Sequence, residues 1–194
     1  MKRFITVLIT VSLFVPFNAL AQTYRLDPSH TTIQFKVRNM LIMNVTGVFE
    51  KFRGTVHIDE NDMSKSTADV SIETASINTG INRRDDDLRS SGFFDVAHYP
   101  AMTFVSTKVE PGAAGTLKVT GNLTIKGVTK EVVLAVEGPK SLQDHVRLAA
   151  SATATVNRQD FGVSKGSVIA DEVYITITTE LEKEQAGGGS APKP

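Results

Sequence analysis

Leu117-Lys118-Val119-Thr120-Gly121-Asn122-Leu123-Thr124-Ile125 is the stretch that decides the fold. Leu117, Val119, Gly121, Leu123 and Ile125 share one side of an extended chain, and Lys118, Thr120, Asn122 and Thr124 share the other. Unbroken alternation of this kind marks a strand with one face in a core and one in water. Lys126-Gly127 follows at once as a two-residue turn signal.

The same period runs outward in both directions. Upstream, Ile33, Phe35 and Val37 alternate with Gln34, Lys36 and Arg38, and Val45, Gly47 and Phe49 with Thr46, Val48 and Glu50. Val56 and Ile58 continue after Gly54, and Ala68, Val70 and Ile72 alternate with Asp69, Ser71 and Glu73. Downstream, one face carries Val146, Leu148, Ala150, Ala152, Ala154 and Val156, and a last one carries Val173, Ile175, Ile177, Thr179 and Leu181. Turn chemistry separates the segments at Asp59–Asp62, Pro111–Gly115, Lys126-Gly127 and Gly138-Pro139-Lys140. Short links between neighbours imply a mostly antiparallel sheet. About eight strands of this length make a closed barrel or a two-sheet sandwich.

The inward faces bear on that choice. The chain has no Trp, and Gly47, Gly121, Ala150, Ala152 and Ala154 are small. Interiors rarely leave volume empty. Either a ligand fills the space, as in a barrel of about eight strands, or the ten phenylalanines reach across from facing strands.

One tract breaks the pattern. Asn82 to Pro100 (NRRDDDLRSSGFFDVAHYP) gathers three arginines and four aspartates around Leu88, Phe93 and Phe94, without period-two alternation. Its middle reads as a short helix, with Asn82 as N-cap and the aspartates favoured in the first turn by the helix dipole. Gly92 would end the helix, and Pro100 would close the loop. Such a segment is either a plug on an all-β container or a solvated helix pinned by two phenylalanines.

The ends read differently again. Lys2 and Arg3 precede an apolar stretch from Phe4 to Phe17, and Ala19-Leu20-Ala21 gives a cleavage signal. Residues 1–21 are therefore expected to be a signal peptide directing export to a periplasm. Residues 22–184 would form one domain, and 185–194 (QAGGGSAPKP) a disordered tail. Removing Lys2 and Arg3 from 21 basic residues leaves the mature chain two charges more acidic than neutral. That overall balance provides no electrostatic footprint for nucleic acid or for anionic membrane. Zero cysteines removes disulfides, thiol nucleophiles and thiolate metal sites.

Catalytic and metal signatures are scarce. His30, His57, His98 and His145 show no metal-ligand spacing. His57 belongs to the polar side of its strand, and His30 follows Asp27-Pro28-Ser29, where its imidazole would orient a loop. Neither a nucleophile elbow nor a glycine-rich phosphate loop occurs. Asp85-Asp86-Asp87 lacks calcium-loop spacing, and Arg83, Arg84 and Arg89 are placed to neutralise it. An arginine at the mouth of an apolar cavity would also make a fork for a polar head group.

Several ordered motifs resemble the YceI-like family. They include Asp27-Pro28-Ser29-His30, Asn44-Val45-Thr46-Gly47-Val48-Phe49, Phe52-Arg53-Gly54-Thr55 and Ala75-Ser76-Ile77-Asn78-Thr79. The tract Arg84 to Asp95, the block Gly121 to Lys130, Asn157 to Gly162, and Asp171-Glu172-Val173 complete the set. The resemblance covers residues 23 to 183. It implies an antiparallel lipocalin-like β-barrel of about eight strands, with a short helical insertion near the barrel mouth and an isoprenoid tail inside. Histidine is frequent in the family where this chain carries Asn39 and Asp87, so the head group is less defined than the tail.

The resulting expectation is a non-enzymatic periplasmic carrier of an isoprenoid-type lipid, a polyprenyl phosphate or a ubiquinone-like quinone, requiring no cofactor or metal. Alternation parity puts the tail along Phe35, Val37, Phe49, Val70, Ile72, Phe104, Leu123 and Ile125, with Phe93 beside it. The head group would meet Asn39 or Arg89. About twenty buried carbons supply roughly 16 kcal/mol gross, much of it cancelled by association costs. The rival class is an enzyme acting on a barrel-bound lipid, which needs an inward acid–base pair that the sequence does not offer. Delivery to a membrane redox protein, a stress role and a homodimer are further partnerships compatible with this reading.

Overall fold

A computed structural model describes residues 21–40, 43–143 and 146–184. Apart from Ala21, the expected signal segment lies outside the described residues, as do the expected tail and His145. Among the described residues the chain forms eleven strands and one α-helix. The first six strands are β1 (Gln22–Leu26), β2 (Thr32–Asn39), β3 (Met43–Phe49), β4 (Phe52–Ile58), β5 (Thr67–Glu73) and β6 (Ile77–Asn78). Helix α1 (Asn82–Arg89) follows. The remaining strands are β7 (Ala101–Pro111), β8 (Leu117–Ile125), β9 (Val128–Ser141), β10 (Arg147–Asn157) and β11 (Ile169–Lys183).

All pairings are antiparallel, and the ring β1-β4-β5-β7-β8-β9-β10-β11 closes through pairing of β11 with β1. Strands β1 and β2 pair successive stretches of β11, through Leu26↔Leu181 and then Thr32↔Thr178. They act as one interrupted stave. Strands β3 and β4 pair that stave and form a second, and β5 and β6 pair them in turn. The result is the expected eight-stave barrel, with β2, β3 and β6 lengthening one wall.

The break between β1 and β2 is a designed corner. Asp27 accepts from Ser29 N at 2.9 Å and contacts His30 Nδ1 at 2.5 Å. That hydrogen bond raises the His30 pKa above the usual histidine value, with the charges of Asp27 and Glu180 adding to it. His57 is exposed against Thr23 Oγ1, on the polar side as expected.

Three local expectations change. Gly138-Pro139-Lys140 is not a turn, because β9 runs through it. The chain absorbs Gly138-Pro139 as a bulge where pairing skips from Ala149↔Lys140 to Ser151↔Glu137. Ile81, not Asn82, caps α1, and no side chain bonds the cap. The buried carboxylate of Asp85 instead accepts from Thr79 N (2.9 Å) and Thr79 Oγ1, tying the helix back to the preceding loop. The helix also stops at Ser90 rather than at Gly92. Lys126-Gly127 does form the two-residue hairpin turn, with φ of 50° and 73°, the pair of left-handed conformations that a type I′ turn requires.

The two small-residue readings divide by residue type. A Cβ at Gly47 would lie 2.5 Å from the Phe35 ring, and one at Gly121 would lie 2.5 Å from the Phe104 ring. Both glycines are therefore covered by phenylalanines from neighbouring strands. Ala150, Ala152 and Ala154 face open interior. Gly47→Val is expected to destabilise the barrel by about 1–3 kcal/mol through overpacking, read as a lowered urea midpoint with unchanged slope. An unmoved midpoint would mean that Phe35 does not sit on Gly47. Asp27→Asn is expected to return His30 toward the ordinary histidine range, seen as a lower midpoint in an NMR titration of its imidazole.

Candidate functional site

The barrel encloses a cavity of about 490 Å³. Ten of the eleven proposed contact residues stand on its wall, nine of them brought there by strand parity. They are Phe35, Val37 and Asn39 of β2, Phe49 of β3, Val70 and Ile72 of β5, Phe104 of β7, Leu123 and Ile125 of β8, and Phe93 after α1. Ala150, Ala152 and Ala154 of β10 complete the floor opposite. Arg89 is elsewhere. Its guanidinium donates to Ala75 O (2.9 Å) and Ile77 O (2.8 Å) and pairs with Asp86 at 3.2 Å, so it anchors α1 to the barrel wall.

Burial along the strands locates the mouth. Ile33, Phe49 and Leu181 are buried, and exposure rises through Phe35, Val37 and Asn39 on β2 and through Val45 to Met43 on β3. Residues Ile177, Ile175 and Val173 of β11 are half-buried in the same direction. The opposite end is packed by Tyr24, Leu26, Ile58 and Leu181, with Met63 against them. The cavity therefore opens where β2 turns into β3.

Helix α1 lies at that opening, combining the two readings of its tract. Arg84, Asp87 and Leu88 reach the cavity wall. Phe93 is buried with Val156, Phe161 and Val163, and Phe94 stands edge-on to Phe49 at 6.1 Å between ring centroids. Two aromatic anchors thus hold the helix as a partial cover over the barrel's end.

The polar groups at this end are mostly engaged with the protein itself. Arg84 donates to Thr79 Oγ1 (2.7 Å) and Thr79 O (2.9 Å). Asp87 pairs with Lys165 at 2.5 Å, and the same ammonium sits 5.2 Å from the centroid of Phe93. Arg158, 7% exposed, donates to the carbonyls of Val163, Lys165, Gly166, Ile169 and Ala170. Its guanidinium fastens the 163–170 loop to the end of β10. The expectation that the arginines chiefly neutralise the aspartates therefore holds only for Arg89 with Asp86, since backbone carbonyls and Thr79 take most of their donors. Asn39 differs from all of these. Its Oδ1 is buried and accepts no hydrogen bond, an arrangement that costs free energy unless another molecule supplies a donor.

Sequence reading missed Arg158 as a wall residue, because an arginine in a short turn after a strand looks solvent-facing. Asp87 and Arg84 were legible only as parts of a charged tract.

The matches to known proteins agree with this geometry. Residues 24–181 match the YceI-like domain. The chain belongs to the YceI-like family. A UPF0312 protein of Shewanella sp. strain W3-18-1 is 33% identical over 167 residues, spanning 84% of this chain and 87% of that protein. The crystal structure of Burkholderia cenocepacia BcnA superposes with a TM-score of 0.71 at 26% identity, covering 80% of this chain and 98% of that one. A polyisoprenoid-binding domain from Saccharophagus degradans, implicated in plant cell wall breakdown, shares the fold with a TM-score of 0.65 at 19% identity, covering 85% and 99% of the two chains. Arg158→Met is expected to destabilise this YceI-like barrel by about 2–4 kcal/mol, since the carbonyls that it satisfies are left unpaired. Amide exchange in residues 163–170 should accelerate most. Uniform acceleration across the barrel would argue against a local fastening role.

Proposed function

We propose that this protein is an exported, non-enzymatic carrier that holds the tail of an isoprenoid-type lipid inside its barrel. The observation that carries this reading is an apolar cavity of about 490 Å³ whose mouth presents one buried, unpartnered acceptor, Asn39 Oδ1. The polyisoprenoid-binding neighbour from Saccharophagus degradans supports the ligand class. At about 30 Å³ for each water-sized group, the cavity takes on the order of sixteen carbons, or about three isoprene units. Burying them contributes roughly 13 kcal/mol gross at about 0.8 kcal/mol per methylene. Association and ordering offset much of that. A longer tail extends through the mouth past α1.

The head group rests against Asn39. Its free acceptor favours a head that donates a hydrogen bond, such as a hydroxyl, an amide or a singly protonated phosphate. The charged side chains at the cavity wall, Arg84, Asp87 and Arg158, are each held by protein partners. That engagement favours holding a lipid over transforming one. The apolar segment from Phe4 to Phe17 and the Ala19-Leu20-Ala21 signal support export to a periplasm.

The test is native mass spectrometry of the mature chain purified from its compartment, with organic extraction of any adduct. A stoichiometric isoprenoid or quinone is the expected result. An empty protein that also refuses added ubiquinone and polyprenyl phosphate would end the proposal. Ala152→Phe, which fills the cavity between Val136 and Ile177, should abolish the adduct while circular dichroism stays that of the parent. Asn39→Leu should weaken a hydroxyl-headed lipid by about tenfold and leave a plain hydrocarbon unaffected.

A further inference from the structure

Four of the largest exposed apolar side chains gather at the cavity mouth. Met40 and Met43, on either side of the β2–β3 turn, are 60% and 57% exposed, and Val168 and Ile81 are 54% and 52% exposed. Met40 N donates to Val168 O at 2.9 Å, and Met43 pairs with Asn39, so three of them are neighbours. Ile81 caps α1 one turn before Arg84, a residue of the cavity wall, and so belongs to the same end. None of the four lines the cavity. Single exposed apolar residues need no explanation, but a group around one opening does. Met40 also holds a left-handed backbone, φ 50°, a conformation in which Asn or Asp is far commoner.

The charge around this rim is mixed. Asp85 is bound to Thr79, Asp86 to Arg89, Asp87 to Lys165, and Asp171 to Arg158 and Gln159. Arg38, one residue before Asn39, and Arg83, in the first turn of α1, are exposed, and their side chains make no ion pair or hydrogen bond among the described residues. Asp85 keeps its charge against the neutral Thr79, and Asp160 and Glu172 are exposed with no cation paired to them among the described residues. The rim therefore carries both signs, with Arg38 and Arg83 as its two guanidiniums free to meet an anion.

We infer that the mouth docks on an anionic lipid bilayer. Met40, Met43, Ile81 and Val168 enter the interfacial region, and Arg38 and Arg83 meet lipid phosphates. An apolar rim with flanking basic residues suits that interface. The cavity is continuous with the rim, so a tail moves between bilayer and barrel without entering water, where each exposed methylene would slow transfer by about fourfold. This inference rests on the carrier reading for its purpose, though not for its contacts.

The experiment uses the mature protein, vesicles of phosphatidylethanolamine and phosphatidylglycerol or of phosphatidylcholine alone, and a fluorescent farnesol analogue. Flotation with anionic vesicles is expected, with a transfer rate that rises with vesicle concentration. The double variant Met40→Asp/Met43→Asp should cut vesicle-to-protein transfer at least about tenfold, with unchanged uptake of the analogue delivered from ethanol. Asp tolerates the left-handed position, so the backbone at residue 40 should be kept. Arg38→Gln and Arg83→Gln should each cost about fivefold on anionic vesicles and nothing on phosphatidylcholine. Transfer that is independent of vesicle concentration, or intact in the methionine double variant, would overturn the inference. So would a double variant that changes only the oligomeric state by light scattering, which would make the rim an interface between copies. Failure to take up the analogue even from ethanol would count against the carrier reading instead. Flotation, and its loss in the double variant, would still decide the docking.

Discussion

Pairing between the first and last strands is the constraint on which everything else depends. Leu26↔Leu181 and Tyr24↔Lys183 close the ring, so among the described strands the edge that remains is the short β6, paired only with β3. The ring's backbone hydrogen bonds run around the wall rather than through the middle, so the interior is free to be apolar and incompletely filled. The same closure sets the size of the space. Eight staves leave room for side chains and one slender guest. Breaking the first stave at Asp27–Thr31 lets β1 follow the last turns of β11 while β2 lengthens the wall toward the mouth.

The two ends of the barrel are finished in different ways. The packed end relies on Tyr24, Leu26, Ile58 and Leu181, large side chains clustered on the neighbouring strands β1, β4 and β11. At the open end hydrogen bonds do the fastening. Arg89 ties α1 to the carbonyls of Ala75 and Ile77, and Arg158 ties the 163–170 loop to β10. Guanidinium groups suit this task because their fixed fork satisfies several carbonyls at once. Hydrogen bonding to backbone keeps the mouth ordered without closing it with apolar bulk. Among the described residues, Asn39 is the wall residue with a buried side-chain polar atom left free to answer to a guest.

Where position depends only on strand parity, the sequence was a sufficient guide, and Phe35, Val37, Phe104 and Leu123 all face inward as alternation requires. It failed where direction depends on distant contacts. Arg89 belongs to an eight-residue helix, and which way such a helix faces is set by its docking on β6, not by its own period. The register shift between Ser106 and Lys108 reverses parity within β7, so alternation places Phe104 but loses the second half of that strand, where Val109 faces inward. Gly138-Pro139 looks like a turn locally, but the pairing of β9 with β10 makes it a bulge. Gly47 and Ala152 are equally small on the page. Only cross-strand register reveals that an aromatic ring covers the first and that open space faces the second.

An unfilled apolar interior also gives the protein a mechanical character. Unfolding abolishes internal voids, so hydrostatic pressure favours the unfolded chain in proportion to the void it eliminates. With about 490 Å³ of space inside, the empty barrel is a compressible vessel, and a tail occupying that space removes the compressibility. Loading therefore stiffens the wall at the same time as it fills it, and resistance to pressure becomes a direct gauge of how full the vessel is.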